Sequence, residues 1–206
     1  MLLNILSTSA VIVAMLLIRS IVEIFPSLMA CLSRAKECFN LESSVKLSRD
    51  RDLVACAMIL PFCLAMYRFQ LTGAGFMYGF SEDVRLIGLI ALFMLYILFR
   101  YAVFYLFRPQ RISKKTYQTA GNAAHTYFII LTFIILATGG IMSFIEADQT
   151  VIRSAIIWLS AGIYGLFLLR KLQIFMTSCS VFTAFLYLCA LEIIPTGTLV
   201  VSAIIF

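Results

Sequence analysis

Apolar and charged residues alternate in long blocks along this chain. Six apolar stretches, at about 2–18, 53–69, 82–107, 119–145, 152–169 and 172–194, are separated by shorter polar segments. Each is close to the roughly 20 residues that a helix needs to cross a bilayer. Inside the blocks the apolar residues are continuous and do not alternate in and out, which argues against a transmembrane barrel. The pattern predicts an all-α fold. It is a polytopic membrane helical bundle of about six transmembrane helices in a single membrane domain covering 1–206.

The charges give the blocks a direction. Twelve of the sixteen Lys and Arg residues fall in three clusters. The first is Arg19, Arg34, Lys36, Lys46, Arg49 and Arg51; the second Arg108, Arg111, Lys114 and Lys115; the third Arg170 and Lys171. Basic residues mark cytoplasmic segments. Arg68, Arg85 and Arg153 fall on the other side, and Arg100 lies within the third stretch. The first stretch has no positive charge before it, Arg19 behind it and no small-residue cleavage pattern. It reads as an uncleaved span with its N-terminus outside. Both termini are therefore expected in the periplasm.

The polar segments carry local signals. Within the first, Leu28, Leu32, Ala35 and Phe39 recur at helical spacing, with Ser33, Arg34, Lys36, Glu37 and Asn40 opposite, and Pro26 suits a first turn. Residues 26–41 are expected to form an amphipathic helix, lying on the inner membrane surface or packed on the bundle. Leu28, Leu32 and Phe39 are its candidate interface residues. Pro61 is expected to kink the second span. Gly73, Gly75 and Gly79 between Phe76, Tyr78 and Phe80 suit an outer loop over 70–81 lying in the interface. Ser81 can cap the third helix, with Glu82 and Asp83 in its positive first turn. Residues 170–178 can lie along the inner surface. Residues 196–206 are too short to cross and suit a re-entrant or interfacial segment.

Composition agrees. The chain is 63% hydrophobic and 13% charged, with mean hydropathy +1.03, and a soluble fold of this size could not bury so much apolar surface. The net charge of +6 borders apolar spans, so membrane lipids are the expected partners and nucleic acid is not. Cys31, Cys38, Cys56, Cys63, Cys179 and Cys189 form no CxxC pair and read as reduced small hydrophobes. No metal site or cofactor is expected.

Four polar residues inside apolar stretches are the candidates for chemistry. Arg100 sits about two turns before the inner end of its span, where it can snorkel, pair or act. His125 lies at a similar depth near Asn122, so that Arg100, Asn122 and His125 could share one level. Ala120, Gly121 and Ala124 beside them suit close helix packing. Glu192 sits at the outer edge if the last span starts at Leu172. If it starts near Ser180, Glu192 is deeper and needs a partner. Pro195, three residues on, leaves carbonyls without helical donors. No protease, hydrolase or phosphate-loop signature is present.

The run Tyr187-Leu188-Cys189-Ala190-Leu191-Glu192-Ile193-Ile194-Pro195 resembles the C-terminal signature of an uncharacterised family of Gram-negative bacterial multi-span membrane proteins. The resemblance implies an inner-membrane location and marks Tyr187, Glu192 and Pro195 as motif positions; it supplies no activity. The expected function is a non-catalytic integral subunit or accessory factor of a larger inner-membrane assembly, in secretion, membrane-protein insertion or envelope building, with other inner-membrane proteins as partners. A small ion or solute transporter is the alternative, and a lipid-handling enzyme the second.

Overall fold

A computed structural model describes residues 2–71, 81–106 and 112–198. The elements are α1 (Leu2–Ser33), α2 (Ala35–Ser43), α3 (Val45–Ala57), α4 (Ile59–Arg68), α5 (Glu82–Leu106), α6 (Lys114–Phe144), α7 (Gln149–Met176) and α8 (Val181–Leu188). A π-helical turn, Cys189–Ile193, follows α8, and residues 194–198 continue as helix. Among the described residues there is no strand. Five helical segments are long and apolar enough to cross a membrane: Leu3–Ser33, Glu82–Leu106, Lys114–Phe144, Gln149–Met176 and Val181–Thr198. The helical bundle expected from the sequence is therefore present.

Several boundaries differ from the hydropathy pattern, each for a local reason. The predicted helix 26–41 does not start at Pro26. α1 runs through that proline, and the break falls at Arg34, whose backbone is extended. The end of α1 is held by α7: Arg170 donates from Nε to the Leu32 carbonyl at 3.1 Å and from Nη2 to the Ser33 carbonyl at 2.7 Å. Those terminal carbonyls have no helical donor, and a guanidinium satisfies them while complementing the helix dipole. The predicted second span is two helices, α3 and α4, joined at Met58. Pro61 lacks an N–H and its ring crowds the carbonyl four residues back. That carbonyl belongs to Ala57, the last residue of α3.

α6 begins at Lys114, several residues before the apolar stretch, because Ser113 caps it by accepting from the Thr116 N–H at 3.1 Å. α7 continues through Arg170 and Lys171 to Met176, so residues 170–176 are the last turns of a helix. The last helix starts at Val181, near the Ser180 alternative. The expected loop 70–81 falls mostly on 72–80, and the tail mostly on 199–206; both lie outside the described residues.

α6 is the centre of the bundle. Its buried face carries Tyr117, Ala120, Ala123, Ala124, Tyr127, Ile130, Ile135 and Gly139. Small residues there let neighbouring backbones approach. Gly121 lies against the Phe104 ring of α5, and an added Cβ would meet that ring at 2.5 Å. Helix ends meet in a consistent way. Thr116 at the start of α6 bonds Ser178 just past α7 at 2.9 Å, and the Tyr117 hydroxyl donates to the Phe104 carbonyl near the end of α5. At the other end Ala65 of α4, Ile135 of α6 and Ile152 and Ile156 of α7 share a core.

The predicted interface stripe belongs to the interior. Leu28 is buried on α1 against Val54, Met58 and Ile129, with Leu32 packed beside it. Phe39, on α2, packs against a core of Cys31, Cys38, Leu41 and Tyr117. The chain breaks at Arg34 and packs α2 against α1, α6 and α7, which covers this stripe. The alternative of packing on the protein's own bundle is the one adopted, and this stripe is not a free docking face.

Candidate functional site

Two clusters of charged side chains lie within the bundle. The first joins α5, α7 and the π-helical turn. Arg100 donates from Nη2 to Glu192 Oε1 at 2.6 Å, and Lys171 Nζ donates to the same oxygen. The Lys171 side chain is 0% exposed, Glu192 2% and Arg100 25%. Aromatic rings enclose the ammonium: Phe167, Phe104 and Phe175 have centroids 5.6, 5.8 and 5.9 Å from Nζ. The Arg100 guanidinium lies 5.8 Å from the Phe167 centroid. Such cation–π contacts replace part of the lost hydration.

The wide turn that places Glu192 has a physical origin in Pro195. Proline gives no N–H to the helix and its ring displaces the carbonyl before it. The turn ahead of it opens by one residue, and the Ile194 N–H bonds the Cys189 carbonyl five residues back. The Glu192 carbonyl accepts from the Tyr164 hydroxyl at 3.3 Å. Beyond the turn Thr196 bonds the Tyr96 hydroxyl at 3.0 Å. Pro195 itself is buried, and Tyr187, eight residues earlier, packs with its ring 6.4 Å from the Phe175 ring.

The second cluster joins α2, α3 and α6. Arg51, 1% exposed, donates from Nη1 to Glu42 Oε2 at 2.9 Å, and from Nε and Nη2 to Asp52 Oδ1 at 3.0 and 2.8 Å. Asn122 donates to Glu42 Oε1 at 2.7 Å. His125 Nδ1 lies 2.8 Å from Asp52 Oδ1. This side of the cluster is open: Asp52 and His125 are 45% and 47% exposed. Partial burial works against the Asp52 charge, but the His125 hydrogen bond and the Arg51 guanidinium outweigh it and hold the carboxyl below its ordinary pKa. A carboxylate on Nδ1 orients the imidazole.

The four sequence candidates therefore divide. Arg100 and Glu192 are brought together; Asn122 and His125 belong to the other cluster, and no hydrogen bond or ion pair among the described residues joins Arg100 to either. His125 is half-exposed rather than interior. Lys171, Glu42, Arg51 and Asp52 were not singled out by sequence, because each sits in a charged segment where orientation or solvation explains it. A signal existed for Lys171: it lies inside the α7 periodicity, one position from Arg170, so the two point to different faces.

Comparison with known proteins returned no family model, no curated protein and no solved structure that matches this chain.

Proposed function

We propose that this chain is a non-catalytic integral subunit or accessory factor of a larger bacterial inner-membrane assembly, of the kind that secretes or inserts proteins or builds the envelope. One observation carries the reading. The charged side chains within the bundle tie helices to one another. Arg100, Lys171 and Glu192 fasten α5 and α7 to the last helix; Glu42, Arg51, Asp52, Asn122 and His125 fasten α2 and α3 to α6. A transporter would need such groups along an open path. A shallow groove of about 400 Å³ lies at Thr150, Val151, Ser154, Ala155 and Trp158, at the opposite end of α7 from Lys171.

The broad apolar sides of α1 and α5 support a lateral partner. Met15, Leu16 and Val22 on α1, and Leu95, Leu98 and Tyr101 on α5, are exposed. The topology in this reading has six crossings, with α3 and α4 together making the second, and both termini in the periplasm. The basic clusters support it. So does the packing, which gathers the ends of α1, α5 and α7 with the starts of α6 and α8.

Mild detergent extraction tests the function. The chain should sediment in a complex larger than itself, with a protein partner at fixed stoichiometry. A photo-crosslinker at Leu16 or Leu98 should join that same partner. A monodisperse chain that conducts an ion in liposomes, with flux abolished by Glu192→Gln, would replace this reading with the transporter. Reporter fusions after Lys115 should read cytoplasmic and one after Asp148 periplasmic; the reverse would sink the topology.

A further inference from the structure

The Arg100–Lys171–Glu192 cluster holds two cations and one carboxylate, and both cations donate to the same oxygen. It therefore carries one positive charge more than it balances. An unbalanced charge in apolar surroundings is costly and calls for a counter-ion. We infer that Arg100 holds one anionic phosphate group, supplied by the headgroup of an acidic membrane lipid.

Three observations point to Arg100 as the contact. The Lys171 side chain has no exposure and is ringed by Phe104, Phe167 and Phe175, so no ligand reaches it. Arg100 is a quarter exposed, and among the described residues its guanidinium makes one hydrogen bond, from Nη2. A guanidinium has five N–H donors, so most of the fork is free to pair with phosphate oxygens, for which its planar geometry suits it better than an ammonium. Arg100 also lies six residues before the end of α5, about 9 Å at 1.5 Å per residue, within snorkelling reach of the headgroups. At that end of the bundle Lys114 and Lys115 are exposed and concentrate acidic lipid.

This inference does not depend on the partner-subunit reading. Its test uses the full chain purified in a neutral detergent. Native mass spectrometry after exposure to phosphatidylglycerol or phosphatidylcholine should show one retained phosphatidylglycerol and little phosphatidylcholine. The melting temperature should rise with phosphatidylglycerol alone. Arg100→Gln should cut retention about tenfold, the effect of losing one charge-assisted contact. The double change Lys114→Gln with Lys115→Gln alters surface charge but not the site and should keep the retained molecule. Inorganic phosphate that raises the melting temperature as much, through Arg100, would keep the phosphate chemistry but assign it to a free ion, overturning the lipid source. Equal response to both lipids in the unaltered protein, with none to phosphate, overturns the inference. So does unchanged retention in Arg100→Gln. If that variant does not fold, the unaltered protein's lipid comparison decides alone.

Discussion

The two charged clusters use the same kinds of side chain in opposite settings. Around Glu192 one carboxylate serves two cations, aromatic rings fill the space, and only Arg100 is partly exposed. Around Arg51 one guanidinium serves two carboxylates, and the Asp52–His125 side opens outward. The difference teaches where a charge is indispensable. Water or headgroups can replace a lost partner of Asp52. Among the described residues no second carboxylate pairs with Arg100 or Lys171, so nothing nearby replaces Glu192. Removing one member of a buried ion pair strands the other, and that stranded charge is the larger part of the cost.

Glu192→Gln is the most severe way to break the contrast. It leaves two cations facing each other, and the expected loss is about 3–5 kcal/mol, read as a lower melting temperature in detergent and poor accumulation in the membrane. Lys171→Met should be much milder, roughly 1–2 kcal/mol, because a balanced Arg100–Glu192 pair remains. Equal costs for the two would mean that charge balance does not govern this cluster.

Arg51→Met falls between them, at about 2 kcal/mol. It frees Glu42 and Asp52, both of which have some exposure, and should loosen α2 and α3 from α6, seen as faster proteolysis after Lys46. His125→Ala is expected to cost less than about 1 kcal/mol, since the exposed pair it removes is weak.

The smallest effect is a pH dependence that His125→Ala should diminish. The folded-state pKa of Asp52 lies below its ordinary value. Its contribution is therefore complete above the ordinary carboxylate range, near pH 4, and is lost as pH falls through the lower folded value. Exposure keeps it within the fraction of a kcal/mol typical of surface pairs. Thermal melts from neutral to acidic pH, with and without His125, would show it. A loss that begins well above pH 4 would assign it to another group.

Much of the bundle was legible because hydropathy is local. The positions of α5, α6 and α7 follow closely from apolar length, whereas α1 runs on past its apolar stretch, 2–18, to Ser33. Glu192 and Pro195 stood out because a carboxylate and a helix-breaking proline three residues apart are unusual in such a stretch. Partner choice was not legible. Arg100 and Glu192 are 92 positions apart, and His125 and Asp52 are 73 apart; only packing decides which pairs meet. Lys171 was read as an orientation signal because Arg170 beside it performs a role that any surface cation could share. Leu28, Leu32 and Phe39 showed the right period, but a periodic face states only that something covers it. The cover proved to be the same chain.

The wide turn at Cys189–Ile193 has a consequence for how this protein can change. A π-helical turn amounts to one residue added to an α-helix. Removing one residue there would restore ordinary winding and rotate everything on one side of it by about 100° relative to the other. Glu192 could then no longer face α5 and α7 while Thr196 kept its place beside Tyr96. A single codon gained or lost is thus enough to assemble or dismantle the ion triad, with no exchange of any charged residue. Sequence drift elsewhere in the last helix leaves the triad in place, but a change in helix length between Val181 and Thr196 does not.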